Sequence, residues 1–111
     1  MVAACEDGHG GEAFYRWFTE AKTPQEVTAK ISKIAQKNTL PDQWEAQILA
    51  RVMTKCVVIM VTNRCDPQIV CGMHMLQAPD IGTALTMAKA RVGEKAEIVV
   101  IPDGISVIIT E

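Results

Sequence analysis

The hydrophobic positions of the chain fall into strand-like runs separated by helix-like stripes. Residues 56–62 form a continuous, β-branched run, which is typical of a strand covered on both faces. Residues 97–101 predict a second buried strand, and residues 2–5 resemble the end of another. The turn residues at 102–104 predict a hairpin that pairs residues 97–101 with a final strand at residues 105–110.

Apolar residues at helical spacing mark the segments between these strands. Residues 12–21 carry one such stripe, which places Trp17 in the core. Thr23-Pro24-Gln25-Glu26 is a capping box with proline at the first helical position, and it starts a second helix. Asp80 has the side chain of an N-cap for a later helix. Further helices are predicted to begin at Pro41 and at Asp66-Pro67.

The helix that begins at Pro41 carries the most informative residue of the chain. One apolar face of this helix is formed by Trp44, Ile48, Leu49 and Val52. Trp44 stands in the first turn, at the mouth of the domain, so it either fills the end of the core or forms a wall of a site. Gln47 lies one turn further along and could face the same space.

The order of elements predicts an α/β fold, because strands separated by helices imply right-handed crossovers and a mostly parallel sheet. We expect a single domain over residues 1–111, with three layers in the order helix, sheet, helix. Its sheet is small, mostly parallel and Rossmann-like, with the β-hairpin at its C-terminal end. Because the first strand begins at Met1 and the sheet is small for this class, we expect further elements upstream.

Composition narrows the possible functions. The 111 residues carry a formal net charge of −2 and no basic stripe, which argues against nucleic acid as a partner. The apolar runs are strand-sized, which predicts no membrane span, and no secretory signal is visible. The four cysteines are too sparse and irregular for a disulfide scaffold. A reduced, cytoplasmic location is therefore the expectation.

A glycine-rich turn follows the first predicted strand. Gly8-His9-Gly10-Gly11-Glu12-Ala13 fits the pattern G-x-G-x-x-A, in which a helix N-terminus holds phosphate. Asp7 and Glu12 flank the glycines, however, and would repel an anion. The other interpretation is a tight strand-to-helix turn in which glycines allow positive φ. A site of a different kind at this edge of the sheet stays open, and His9 is its candidate side chain.

Three residues have side chains that can bind a metal ion, but their spacing in the sequence is not that of a structural metal site. Cys65, Cys71 and His74 could bind zinc or copper, but structural zinc needs four ligands, and sulfur side chains that fill a core explain the pattern equally well. A cysteine nucleophile paired with His9 or His74 is open to the same objection. Asp42 and other carboxylates in first helical turns are explained by capping. We predict no metal ligand and no catalytic residue within this chain.

Four segments together resemble a known family. They are Asp7 to Glu12, the Asp42-Gln43-Trp44-Glu45-Ala46-Gln47 helix, Met73-His74-Met75, and the closing stretch from Val99 to Ile108 with its Ile-Pro-Asp-Gly turn. They resemble the C-terminal domain of nickel-dependent lactate racemase, and the similarity runs over nearly the whole chain. The chain is thus expected to be a fragment-sized part of such an enzyme.

The resemblance implies a two-domain enzyme with its active site between the domains. Its cofactor is a nickel pincer nucleotide tethered to a lysine of the N-terminal domain, which also supplies the catalytic histidines. Hydride transfer to and from that cofactor would interconvert the enantiomers of a small 2-hydroxy acid. The resemblance carries one position over to this chain, because Trp44 corresponds to the tryptophan that lines the active-site cleft. No cofactor is expected to bind this chain alone.

The leading hypothesis is therefore the C-terminal domain of a racemase, with Trp44, Gln47 and His9 at the cleft. The N-terminal catalytic domain would be its partner, and the chain alone would be inactive. A non-catalytic protein-interaction or self-association module, which would include a homo-oligomer, is the main alternative. A small nucleotide-binding protein that uses the Gly8 to Ala13 turn is the third hypothesis.

Overall fold

The computed structural model describes residues 1–102 and residue 104. Within these residues the chain forms five α-helices, one short 3-10 helix and a two-stranded parallel sheet. The helices are α1 (Glu12–Thr19), α2 (Pro24–Ile31), α3 (Gln43–Met53), α4 (Pro67–Gly72) and α5 (Ile81–Val92), and the 3-10 helix spans Gln36–Asn38. The strands are β1 (Ile59–Val61) and β2 (Leu76–Ala78). The mixed α/β character that the sequence predicts is thus present.

The sheet is parallel and is extended by the N-terminal segment. Ile59 of β1 lies opposite Leu76 of β2. On the other side of β1, Val2 forms a single parallel bridge with Val61, and the Ala3 N–H donates to the Val61 carbonyl at 3.2 Å. The connection between β1 and β2 passes through α4, which is the crossover expected between parallel strands. The segment at residues 2–5, predicted to be the end of a buried strand, thus lies beside β1 but contributes one bridge rather than a full strand.

At residues 97–101 the structure differs from the prediction. Residues 97–101 form no strand, and their large apolar side chains are exposed, so the prediction of a buried strand there is wrong. An apolar run becomes a strand only where a neighbour completes its backbone hydrogen bonds, and the predicted neighbour, residues 105–110, lies outside the described residues. The hairpin therefore stays a prediction, as does the three-layer arrangement. The sequence also did not predict β2, which has only three residues.

Helix ends follow the capping signals closely. The Thr23 hydroxyl accepts a hydrogen bond from the Glu26 N–H at 3.2 Å, and Asp80 accepts one from the Thr83 N–H at 2.7 Å. These bonds satisfy amide groups that have no partner inside the helix. The start of α3 is different, because Asp42 has a left-handed φ of 57° and its side chain makes no capping bond. The helix therefore begins at Gln43, and the prediction that it begins at Pro41 is wrong by two residues.

The core lies where α1, α2 and α3 pack together above the strands. Phe18 and Val27 are completely buried, and Trp17 is half-buried against the same cluster. Methionines contribute much of the remainder, since Met60, Met73 and Met75 are all buried. The helices α4 and α5 contact the sheet. Across residues 1–102 and 104, no helix has the length and apolar character needed to cross a bilayer.

The buried face of α3 consists mainly of small side chains, and most of its large apolar residues lie on the opposite side. Ala46 and Ala50 have no exposed surface and face the neighbouring helices, and Gln43 is also buried. The Gln43 side-chain oxygen accepts a hydrogen bond from the Leu40 N–H at 3.1 Å, which satisfies that polar group. The apolar residues Trp44, Ile48 and Val52 point outward instead, with 62%, 52% and 43% of their surface exposed. Of the predicted apolar face, only Leu49 packs against the core, and the exposure of Trp44 disfavours the alternative in which it fills the end of the core.

We predict that Ala46→Leu lowers the free energy of unfolding by about 1–3 kcal/mol, because added methylene groups have no space in a close-packed interior. The matched control is Ala29→Leu, which makes the same change at an exposed position of α2 and should alter stability by less than about 0.5 kcal/mol. Urea denaturation of the two variants measures the difference. Equal stabilities would contradict the burial of Ala46.

Candidate functional site

A glycine-rich loop connects the N-terminal segment to α1. Gly8 and Gly10 have φ angles of 73° and 80°, a region that side chains other than glycine rarely enter. The Gly11 N–H donates to His9 Nδ1 at 3.2 Å, so this amide is used within the loop. These observations support the interpretation of the motif as a tight strand-to-helix turn.

His9 is held in place by three neighbours. Its ring stacks on Tyr15, with centroids 4.6 Å apart and planes 9° apart. Because Nδ1 accepts the Gly11 N–H, the neutral ring carries its proton on Nε2, which lies 3.6 Å from Glu12 Oε2. About a quarter of the side chain is exposed. His9 is thus oriented at the rim of the loop, and both ring nitrogens already have neighbours.

An apolar cleft of about 290 Å³ lies beside this loop. Gly8, His9 and Gly10 form one side of it, and Leu49 of α3 contributes to another. The remaining lining comes from Met1, Cys5, Phe14, Met60, Cys65, Ile69, Val70, Met73 and Met75. Burial raises the pKa of the Cys65 thiol, and the nearby Cys5 and Asp66 raise it further. Sequence reasoning did not foresee this cleft, because its lining is drawn from distant segments.

Trp44 and Gln47 lie outside the lining of that cleft. Trp44 is largely exposed and Gln47 is half-buried, one turn further along α3. The start of α3 nevertheless borders the glycine-rich loop, since Asp42 Oδ2 lies 3.8 Å from the position that a Cβ on Gly11 would occupy. The structure therefore places Trp44 two residues from the contact between α3 and the loop, while His9 faces the cleft. The three predicted cleft residues, Trp44, Gln47 and His9, therefore lie in the same region of the domain but do not line one pocket.

The exposed side of α3, which we call the outer α3 face, consists of Trp44, Ile48, Arg51, Val52 and Lys55. Its last four residues line a shallow groove of about 270 Å³. Arg51 and Lys55 form no ion pair with another part of the chain that the structure describes. A helical projection could have revealed this face from the sequence, because Ala46 and Ala50 lie on the opposite side of the helix.

The Cys65, Cys71 and His74 set does not form a metal site. His74 has a left-handed φ of 61°, and its Nε2–H donates to the carbonyls of Phe18 and Ala21 at 3.1 and 3.0 Å. Cys71 is exposed, whereas Cys65 lines the cleft. Among residues 1–102 and 104, no three His, Cys, Asp or Glu side chains are arranged to hold a metal ion. The side chains present therefore do not fit a nickel ligand set.

Comparison with known proteins identifies the family. Residues 1–109 match the model of the lactate racemase C-terminal domain. The chain belongs to this family. It is 52% identical over 111 residues to the lactate racemase of Thermoanaerobacterium thermosaccharolyticum and 41% identical over 109 residues to that of Lactiplantibacillus plantarum. This lactate racemase C-terminal domain spans 26% of the length of each of these relatives.

A solved structure supports the same assignment. The lactate racemase apoprotein of T. thermosaccharolyticum superposes with a TM-score of 0.95 at 53% identity, over 99% of this chain and 26% of that one. The resemblance that the sequence motifs indicated is therefore confirmed. The fold described above is the fold of a lactate racemase C-terminal domain.

We predict that His74→Ala destabilises the domain by about 1–3 kcal/mol, because the half-buried Ala21 carbonyl loses its side-chain donor and the Phe18 carbonyl keeps only the Ala21 N–H. The control is His9→Ala, which removes an imidazole of similar size at the loop rim and should cost less. Thermal unfolding followed by circular dichroism compares them. If His74→Ala were as stable as the unaltered protein, the hydrogen bonds from His74 to Phe18 and Ala21 would not contribute to the stability of the domain.

Proposed function

We propose that this chain serves as the C-terminal domain of a lactate racemase-type enzyme and forms one wall of an active site between two domains. Its partner would be the N-terminal catalytic domain, and the substrate a small 2-hydroxy acid such as lactate. Two relatives named lactate racemase, four times as long as the matched segment, support this assignment. The observation that carries the proposal is the exposure of Trp44.

The outer α3 face has the character of a contact surface. Trp44, Ile48 and Val52 stand one turn apart on one line, and each leaves a large apolar area in water. Covering such a side chain is worth about 1.5–3 kcal/mol, and contiguous apolar patches of this kind mark interaction sites or ligand grooves. A second domain that covers Ile48 and Val52 would leave Trp44, at the end of the line, as a wall of the cleft between the domains.

The chain's own part in the reaction would be to shape the site. An indole wall excludes water and limits how a small acid can lie, whereas it neither donates nor accepts the proton of a hydroxyl group. His9 is bonded through Nδ1 and faces Glu12 through Nε2, so it would contribute to the rim rather than act as a base. Because the described side chains do not fit nickel, the nickel pincer nucleotide would be held by the N-terminal domain. We assign no step of the reaction to this chain.

A self-association module is the second candidate function. The apolar residues on α5 favour it, because Ile81 and Val92 are also more than half exposed. A second copy could cover them as well as a catalytic domain could. Sedimentation velocity distinguishes these cases, since a chain that remains monomeric at high concentration would argue against self-association.

We predict that the 111-residue protein alone does not racemise lactate, because the part of the chain that the structure describes presents a cleft wall with no nickel ligand set and with a histidine whose ring nitrogens are already engaged. Polarimetry or chiral chromatography of L-lactate incubated with the nickel-supplemented protein provides the measurement. The full-length T. thermosaccharolyticum enzyme is the positive control. Formation of D-lactate by the isolated chain would overturn its assignment as a non-catalytic wall.

The role of Trp44 is tested in a chimaera in which this chain replaces the matching 26% of the T. thermosaccharolyticum lactate racemase. We expect Trp44→Ala to lower kcat/KM at least tenfold, a loss of about 1.4 kcal/mol in transition-state stabilisation, with nickel content and thermal stability unchanged. The control is Ile81→Ala, which truncates a similarly exposed residue of α5. Unchanged turnover in Trp44→Ala would remove Trp44 from the active-site wall.

A further inference from the structure

Six sulfur-bearing side chains line the apolar cleft beside the glycine-rich loop. They are Met1, Cys5, Met60, Cys65, Met73 and Met75, and we call this place the sulfur cleft. We propose that the sulfur cleft binds a monovalent copper ion through the thiols of Cys5 and Cys65, with methionine thioethers as neighbouring ligands. This proposal is independent of the racemase function.

The fold brings the two thiols to the same end of the sheet. Three contacts join the N-terminal segment to the end of β1: the Ala3 N–H donates to the Val61 carbonyl at 3.2 Å, the Thr62 hydroxyl donates to the Ala4 carbonyl at 2.8 Å, and Arg64 pairs with Glu6. The two segments therefore run side by side in the same direction. Cys5 and Cys65 lie at the ends of these parallel segments, and both enter the lining of the same cleft.

The conformation around Cys5 is unusual for a residue with a side chain. Its φ is 53°, a left-handed value that has an energetic cost for residues other than glycine. Cys5 and Cys65 are half-buried, whereas Cys56 and Cys71 are exposed elsewhere. The thiols of the sulfur cleft are thus shielded from bulk solvent, while an opening remains through which an ion could enter.

The ligand chemistry selects a soft ion. Thiolate and thioether sulfurs bind Cu(I) strongly, whereas Mg²⁺ and Ca²⁺ prefer oxygen. Zinc is less suited, because it takes four nitrogen, oxygen or thiolate ligands, and no three His, Cys, Asp or Glu side chains in residues 1–102 and 104 are arranged to hold a metal. The sulfur cleft offers two thiols and several uncharged thioethers, which match the low coordination numbers of Cu(I).

The binding step balances without any transfer of electrons. The metal replaces the protons of both thiols, so that two Cys–SH and one Cu⁺ give a Cys–S–Cu–S–Cys unit of net charge −1 and two H⁺. Bound Cu⁺ thus offsets one of the two thiolate charges in the apolar cleft.

The test uses the 111-residue protein in which the two exposed cysteines are removed by Cys56→Ser and Cys71→Ser. Under argon, competition with the chromophoric Cu(I) chelator bicinchoninate measures stoichiometry and affinity. We expect one equivalent of Cu(I) to bind, and we expect Cys5→Ser or Cys65→Ser in this background to weaken binding at least tenfold. Absence of stoichiometric binding, or equal binding without Cys5 and Cys65, would overturn the proposal.

The thioether contribution is tested by a nearly volume-conserving change. Met73→Leu should weaken Cu(I) binding several-fold, whereas Met53→Leu, on α3 and outside the lining of the sulfur cleft, should leave it unchanged. Equal affinities for these two variants would remove the thioethers from the site.

An alkylation experiment on the unaltered protein covers the case in which a cysteine variant does not fold. Cu(I)-loaded protein is treated with N-ethylmaleimide, and the modified cysteines are located by peptide mass spectrometry. Protection of Cys5 and Cys65, with modification of Cys56 and Cys71, supports the site. Modification of all four cysteines at the rates of the metal-free protein would contradict it.

Discussion

The close approach of α3 to α2 is the contact on which most of this domain depends. Ala46 and Ala50 are completely buried at that contact, and their methyl groups let the two helices approach more closely than larger residues would. This packing fixes the rotation of α3 about its own axis. Once the small residues face inward, Trp44 and Ile48 must point to solvent. The core and the outer α3 face are therefore two results of one packing choice.

The sequence predicted local structure better than it predicted orientation. Thr23 and Asp80 cap their helices as expected, because a cap depends on residues only three positions apart. The rotation of α3 stayed open, because its sequence carries a stripe of large apolar residues and a stripe of alanines, and only the neighbouring helices decide which of them is buried. Residues 97–101 form no strand for a related reason, since an apolar run becomes a strand only where a neighbour completes its backbone hydrogen bonds. Local rules thus determine helix ends, whereas the buried faces depend on tertiary contacts.

The candidate site also combines features that local sequence determines with features that depend on tertiary contacts. The glycine-rich turn and its histidine could be read from the sequence, because glycine at positive φ and a nearby imidazole are local features. The sulfur cleft could not, since Cys5 and Cys65 are 60 positions apart in the sequence and line one cleft because the N-terminal segment runs beside the end of β1. The resemblance in sequence led to the expectation that Trp44 lines a cleft, and the structure shows that its side chain is largely exposed.

His74 connects two regions of the chain that would otherwise touch mainly through apolar surfaces. Its ring lies in the connection between α4 and β2, yet it bonds to carbonyls at the end of α1, 56 and 53 residues away in the sequence. Helical contacts such as those within α1 form locally and early, whereas parallel strand pairing must wait for a long loop to close. The His74 imidazole links the helical part of the domain to the part that contains the sheet, so that the folding of each part stabilises the other. The domain should therefore fold as one cooperative unit, in which neither half persists after the other has opened.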